Sequence, residues 1–246
     1  MKNKYFGDIR DLFKYDLISR ICHENALNNR VLYIPMLTKN DKKGDGNKND
    51  YSKAKAGTLN NKLKCYLKNC IERNRRDIAE IEHYFKSDGL EIYIHYKPFV
   101  NCERKKYFET LIKEKSQFFS RSLICIDPDN GLEIKNSNKK HLLYNEVEDI
   151  YNKMDVHSIL MIYQHFSRES HINYRCGRAK DLEMRTKDCP LQISDNEILF
   201  FFLTKNEELK LQLELILNNY KTDYPKLDKS FIPTRCFGGA NIPSND

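Results

Sequence analysis

The residues best suited to chemistry stand in one stretch, 121–135, where an apolar run that favours a β-strand ends at an acid. Asp127 follows that run directly, and three more charged side chains come shortly after it: Asp129, Glu133 and Lys135. Because hard divalent cations prefer carboxylate oxygens, the three acids predict a magnesium or manganese site. A buried strand that delivers an acid to its carboxyl end is also a common way for an α/β protein to present a reactive group.

The same stretch has two further interpretations. Pro128-Asp129 followed by Glu133 and Lys135 resembles the metal-dependent nucleases of the PD-(D/E)xK type, which implies that the acids hold the metal and the lysine assists the attacking water. The segment 128–131 is also a good hairpin turn, with glycine at a left-handed position. In a hairpin Glu133 and Lys135 share a face, and Asp127 joins them only through a bulge.

A second charged group lies in the segment 7–16. Asp8 and Asp11 suit the positive end of a helix that begins near Ile9, and they need no function there. Lys14 is predicted to reach an anionic ligand, with a solvated helix face as the alternative. The two acids are also candidates to join the metal site.

A long polar loop, 38–57, follows a predicted strand and is too long for an ordinary connection. Its residues Thr38 and Gly44-Asp45-Gly46 can approach a phosphate or another ligand closely. The segment matches neither a P-loop nor a dinucleotide-binding fingerprint, so a plain surface loop is the alternative.

A fourth group, Gln164, His165 and Arg168, ends a second apolar strand. These side chains share an edge of the sheet with Asp127 if the two strands are parallel. His165 is a candidate acid or base, ligand or base-stacking group, and a structural histidine is the alternative.

Periodicity predicts the elements that must position these groups. Helices are expected at 5–27, 59–87, 104–119, 143–153, 168–183 and 207–220, and strands at 31–37, 90–96, 122–127, 158–166 and 197–203. Strands that are apolar throughout and separated by helices predict an α/β fold, a mostly parallel sheet with helices on both faces. We expect one domain at 1–221 and an irregular tail at 222–246.

Composition sets the class of protein. The 246 residues carry a net charge of +7, with 40% apolar residues, which permits a polyanionic partner such as DNA or RNA. No secretory signal and no run of membrane-spanning length is present, so we expect a cytoplasmic protein that does not enter a membrane. The eight cysteines show neither Cys-x-x-Cys pairs nor zinc spacing, which indicates reduced thiols. The sequence leaves the oligomeric state open.

Three segments resemble the RlmJ-type adenine methyltransferases, which modify large-subunit ribosomal RNA. The segment 7–15 is similar to their opening Gly-Asn-x-x-Asp-Val-Leu-Lys-His. The segment 121–128 is similar to the strand that leads into their Asp-Pro-Pro-Tyr motif, although Asp129 and Asn130 stand where that motif has its second proline and its tyrosine. The segment 198–217 is similar to their closing strand and helix. The chain also resembles a group of bacterial proteins with similar Gly-Asp, Pro-Met-Leu-Thr and Asp-Pro-Asp-Asn-Gly segments.

The resemblance implies a Rossmann-like fold of the class I methyltransferase type, S-adenosylmethionine as cofactor, and an enzyme that acts on nucleic acid. In that hypothesis Asp127 accepts a hydrogen bond from the exocyclic amine of a flipped base, and Lys14, with Asp8, Asp11 and Thr38, holds the cofactor or a phosphate. One alternative is a nuclease for restriction or phage defence, in which Asp127, Asp129 and Glu133 bind magnesium or manganese. Another is a non-catalytic binding protein on a degenerate methyltransferase fold.

Overall fold

Eight strands and seven helices make up the regular structure of the computed structural model, which describes residues 1–24, 29–40, 48–166 and 170–227. The strands are β1 (Arg30–Ile34), β2 (Glu91–Ile94), β3 (Leu123–Ile126), β4 (Gly131–Leu132), β5 (His141–Leu142), β6 (Ile159–His165), β7 (Leu191–Ser194) and β8 (Ile198–Leu203). The helices are α1 (Ile9–Glu24), α2 (Asn61–Glu72), α3 (Glu80–Ser87), α4 (Arg104–Glu114), α5 (Tyr144–Lys153), α6 (His171–Thr186) and α7 (Glu207–Asp223).

The central sheet has six strands in the order β2-β1-β3-β6-β8-β7. The first four run parallel, so the predicted α/β architecture with a mostly parallel sheet is confirmed. The chain goes from β1 to β2 on one side and then to β3 on the other. The strand order therefore reverses between β1 and β3, and in open α/β sheets such a switch point forms a crevice at the carboxyl ends of the strands.

The strand β8 runs against its neighbours, antiparallel to both β6 and β7. Only residues 195–197 separate β7 from β8, and a connection this short joins antiparallel strands, whereas a parallel crossover needs a dozen residues or more. The side chain of Asp195 closes the turn by accepting hydrogen bonds from the backbone of Glu197 and Ile198. The hydrophobic pattern of a strand indicates that it is buried but not in which direction it runs. The same pattern did not predict β7.

Two hydrophobic cores cover the two faces of the sheet. Successive residues of β3 alternate between them, Leu123 and Cys125 facing one core and Ile124 and Ile126 the other. Helices α1, α2, α3 and α7 contribute to the first core, and α4, α5 and α6 to the second. Because both faces of the strand are buried, its sequence is apolar without alternation, which is the pattern that predicted it.

Some predicted boundaries were wrong for local reasons. The helix expected at 59–87 is two helices, because the chain takes a left-handed conformation at Asn74, with φ of 56°, between α2 and α3. The hairpin expected after β3 is absent from the described residues, since β4 pairs instead with β5, in parallel. The helix expected at 207–220 is longer, because α7 continues to Asp223, and Leu227 beyond it is buried. Residues 228–246 lie outside the described part of the chain.

None of the described helices combines the length and the apolar composition that a bilayer span requires.

Candidate active site

A polar pocket of about 240 Å³ opens at the carboxyl edge of the sheet, where Asp127 follows β3. It joins residues from the start of α1, from the segment after β3 and from the end of β6. Its lining residues are Met1, Tyr5, Asp8, Arg10, Asp11, Lys14, Asp127, Pro128, Asp129, Asn130, Lys140, Tyr163 and His165. Six residues predicted as site residues therefore meet in one place: Asp8, Asp11, Lys14, Asp127, Asp129 and His165.

A buried ion-pair network forms the floor of this pocket. The Lys14 ammonium donates to Asp11 Oδ1 and to Asp127 Oδ2, at 2.6 Å in both cases. Tyr33, which the sequence analysis missed, donates its hydroxyl to the same Asp127 oxygen at 2.6 Å. Lys14 and Asp11 lie one helical turn apart on α1, and the Asp127 backbone continues the β1–β3 pairing by donating to Ile34 O at 2.9 Å. The sheet and the helix together therefore fix the carboxylate.

The two carboxylates of this network stabilise the charged form of Lys14. Burial opposes the charged form of Lys14, but Asp11 and Asp127 outweigh it and raise the pKa of its ammonium well above the usual value. Burial raises the pKa of Asp11, although Lys14 opposes that shift. Because one oxygen of Asp127 accepts from both the Lys14 ammonium and the Tyr33 hydroxyl, the orientation of its carboxylate is fixed.

Asp8 caps helix α1, as the sequence predicted. Its Oδ1 accepts hydrogen bonds from the backbone of Arg10 at 2.9 Å and of Asp11 at 3.0 Å. Burial and then the nearby Asp11 carboxylate raise the pKa of Asp8 to about 7. A carboxyl group that titrates near neutrality and lines a pocket can both give and take a proton, so Asp8 combines a structural and a chemical capacity.

His165 ends β6 on the same edge as Asp127, because β3 and β6 are parallel, as the prediction required. Its Nδ1 lies 2.7 Å from the carbonyl oxygen of Glu197. A carbonyl only accepts, so Nδ1 carries the proton and Nε2 of the neutral ring is an acceptor. Burial lowers the pKa of His165, which keeps the ring neutral around pH 7. The imidazole is therefore oriented and available as a base.

Asp129 contributes a second buried carboxylate to the pocket. Its side chain is 3% exposed, and its Oδ2 has ion-pair contacts with Lys2 at 3.2 Å and Lys140 at 3.5 Å. Among the described residues this oxygen accepts no hydrogen bond of good geometry. Buried acceptors are normally satisfied, so an unsatisfied carboxylate oxygen on a pocket wall indicates a place for a donor.

Glu133 and Lys135 do not belong to this pocket and were wrongly grouped with Asp127. Both line a separate cavity beside α6. The Glu133 carboxylate accepts from the backbone of Tyr144 at 2.9 Å, so it satisfies the first turn of α5. Within the described ranges, no group of three or more His, Cys, Asp and Glu side chains is arranged to hold a metal ion. The space between Asp11 and Asp127 holds the Lys14 ammonium instead.

Thr38 binds the chain itself. Its backbone nitrogen and hydroxyl donate to the carbonyl oxygen of Met1 at 2.9 and 3.3 Å. The Met1 amino group in turn lies 3.5 Å from the carbonyl oxygens of Met36 and Asp127. Residues 1 and 2 are buried and fill the crevice between the ends of β1 and β3. The residues present therefore do not fit S-adenosylmethionine in this crevice.

Two predicted contributors fall outside the described residues, namely Gly44-Asp45-Gly46 and Arg168. The sequence analysis also missed Arg10 and Lys140, which line the pocket. Arg10 donates two hydrogen bonds to Glu197 Oε2, at 3.0 and 2.8 Å, and Lys48 donates to Oε1 at 2.6 Å. No local pattern marks Arg10 and Lys48, because their shared partner Glu197 is more than a hundred positions away in the sequence.

Comparison with protein-family models finds no match, and comparisons with curated proteins and with solved structures find none either. The geometry of this pocket is therefore the main evidence for a function.

Proposed function

We propose that the protein is an enzyme that acts on nucleic acid, built on a methyltransferase-like Rossmann fold, and that its pocket receives the amino-bearing edge of one base. The observation that carries this proposal is the convergence of the buried carboxylates of Asp127 and Asp129 and the half-buried imidazole of His165 on one small pocket. An exocyclic amine would donate to the Asp129 oxygen that accepts no hydrogen bond and to Nε2 of His165.

The fold supports the methyltransferase-like part of the proposal. The pocket lies beside the switch point of the sheet, and the acid that resembles the first residue of the Asp-Pro-Pro-Tyr motif follows β3 there. The closing strand β8 and helix α7 occupy the segment, 198–217, that resembles the closing strand and helix of the adenine methyltransferases. Position and resemblance thus agree on Asp127 as the residue nearest the reacting group.

The hydrogen-bond acceptors that line the pocket favour an amine over a phosphate as its ligand. Asp127 accepts hydrogen bonds from Lys14 and Tyr33, Asp129 has an oxygen without a hydrogen bond, and His165 presents Nε2 as an acceptor. A phosphate group carries only acceptors, so it cannot donate to these atoms. An amino group donates to these atoms, and His165 is placed to take the proton that the amine loses when it reacts.

The size and the rim of the pocket favour a polymer. A volume of about 240 Å³ is below the roughly 300–1,000 Å³ of sites that enclose a drug-sized ligand. It therefore admits one group of a larger molecule. Arg10 and Lys140 line the pocket, and Lys48 pairs with the same carboxylate as Arg10. These cations, with the net charge of +7, suit the phosphates of a chain whose base enters the pocket.

The alternatives are less well supported. A nuclease of the PD-(D/E)xK type needs Glu133 and Lys135 beside Asp127, and they lie at another cavity. A binding protein on a degenerate fold accounts for the filled crevice at Thr38. It leaves unexplained why an oriented histidine and a carboxyl group that titrates near neutrality share one pocket.

The test is a search for a modified base. Single-stranded DNA and RNA oligonucleotides of mixed sequence are incubated with the protein, with and without S-adenosylmethionine because the crevice at Thr38 does not fit it, then digested to nucleosides and analysed by mass spectrometry. We expect a mass change on an amino-bearing base, lost in Asp127→Asn and His165→Gln and kept in Glu109→Gln, whose side chain is 65% exposed. Strand cleavage that needs manganese would support the nuclease instead. Retention of the oligonucleotides without any product would support the binding protein.

A further inference from the structure

Gln164 is a fully buried polar residue whose amide contacts both walls of the pocket. Its Oε1 accepts from the backbone of Leu132 at 2.7 Å, and its Nε2 lies 3.2 Å from the Asn130 carbonyl oxygen. The same nitrogen lies 2.7 Å from the carbonyl oxygen of His165 and 2.7 Å from the Tyr174 hydroxyl. One side chain thus connects the loop that carries Asp129 to the strand end that carries His165.

Gly131 makes room for this amide. The residue has φ of 111°, and a Cβ built on it would meet Gln164 Nε2 at 2.2 Å and Cδ at 2.4 Å. These distances are far below any real carbon contact, so no larger residue fits while Gln164 stays in place. Glycine at this position therefore serves the close approach of the amide as well as the turn.

We propose that Gln164 is the positioning residue of this pocket, and that its amide holds residues 129–132 in register with His165. Residues 131–132 form β4 of the small β4–β5 sheet, outside the central one, so the place of the segment 129–132 relative to β6 depends on such tertiary contacts. Loss of the amide would let Asp129 move relative to the imidazole while the six-stranded sheet stays intact.

The number of hydrogens on Gln164 Nε2 explains why this position requires an amide. Nε2 carries two hydrogens and faces three acceptors, and the contact with Asn130 is the longest of the three. Glutamate at this position would keep the acceptor for Leu132 and would place an oxygen against the carbonyls of Asn130 and His165. A deprotonated glutamate repels both carbonyls, whereas a protonated one regains a single donor. The effect of Gln164→Glu should therefore diminish as the pH falls.

The test uses nuclear magnetic resonance on the full chain. In Gln164→Met, which removes the acceptor of Leu132, we expect the Leu132 amide to lose protection from hydrogen exchange and the His165 ring resonances to shift. In Gln164→Glu, which keeps that acceptor, we expect the His165 ring resonances to shift, and the difference from wild type at the same pH should diminish as the pH falls. Gln192→Met is the matched control, because Gln192 is also a buried glutamine but lies on β7, and it should leave both signals unchanged. Thermal unfolding of each variant separates a moved loop from a lost fold.

Unchanged Leu132 protection and His165 resonances in a folded Gln164→Met protein would overturn the proposal. The same would follow if Gln192→Met moved them equally, since the effect would then reflect general destabilisation. The catalytic consequence rests on the proposed function: base modification should fall about 10–100-fold in both Gln164 variants relative to the wild type at the same pH, and this difference should narrow as the pH falls only in Gln164→Glu. If the wild type modifies no base, the proposed function fails, while the coupling measured by resonance stands or falls independently.

Discussion

The ammonium of Lys14 lies 2.6 Å from the carboxylate of Asp127, and the two residues are 113 positions apart in the sequence. Both side chains are almost completely buried, at 2% and 3% exposure. The contact ties helix α1 to the carboxyl end of β3 and fixes the carboxylate that the proposed reaction uses. The same ion pair therefore joins two elements of the fold and positions the carboxylate of the proposed reaction.

Lys14→Met should destabilise the protein strongly. Removal of one partner leaves Asp11 and Asp127 buried without their cation, and breaking such a pair typically costs about 3–5 kcal/mol. The free energy of unfolding, measured by urea denaturation, checks this. Lys105→Met is the control, because that side chain is 88% exposed, and it should change stability by no more than about 0.5 kcal/mol. Equal effects of the two variants would mean that the network contributes little.

Asp8→Asn should flatten the pH dependence of stability. The pKa of Asp8 is about 7 in the folded protein and 3.8 in the unfolded chain, so between these values the folded state binds more protons. Stability from this group is present at low pH and is lost as the pH rises from about 4 to 7, by at most about 1.4 kcal/mol per pH unit.

Asparagine keeps the acceptor that caps α1 and removes the titration, so the difference between wild type and variant isolates this group. Urea denaturation at several pH values measures it. A difference that is constant with pH would show that Asp8 does not take up a proton on folding.

Gly131→Ala should destabilise more than Gly89→Ala. Both glycines have positive φ, 111° and 83°, so both substitutions introduce backbone strain of about 1–3 kcal/mol. Only at Gly131 does the new Cβ also meet the Gln164 amide, whereas no atom lies within 4 Å of it at Gly89. Thermal or urea unfolding of the two variants compares strain with and without the clash. Equal losses of stability in the two variants would mean that the Gln164 amide moves aside at little cost.

The acid limb of the activity profile should lie below pH 6.5. The base must be neutral to accept a proton, and burial lowers the pKa of His165 from 6.5. Activity is therefore retained as the pH falls to that value and is lost only below it. Rates of base modification over a pH series measure the limb, with Asp8→Asn to remove the second titrating group. A limb at or above pH 6.5 in that variant would assign the base to another residue.

Local pattern predicted much of the fold. The apolar runs at β1, β3, β6 and β8 and the periodic helices are present, because burial on both faces of a sheet leaves a direct mark on the sequence. The direction of β8 and the existence of β7 left no such mark. The short connection 195–197 decides that these two strands are antiparallel.

The site residues likewise divide into those that the local sequence predicted and those that it did not. Asp127 and His165 were predicted because each ends a buried strand, and parallel strands bring their carboxyl ends to one edge. Glu133 was grouped with them by sequence proximity, but the chain turns away at Gly131 and the carboxylate meets the first turn of α5. Nearness along the chain does not fix where a loop side chain points.

The sequence by itself determined where the chain is buried, where it turns and which acids follow a strand, because these properties depend on neighbouring residues. Only the tertiary structure decided that Lys14 neutralises Asp127, that Gln164 spans the pocket and that residues 1 and 2 fill the crevice at Thr38. Those contacts join residues far apart in the chain. They arise from the packing of helix α1 and the β4–β5 sheet against the central sheet, which no local pattern records.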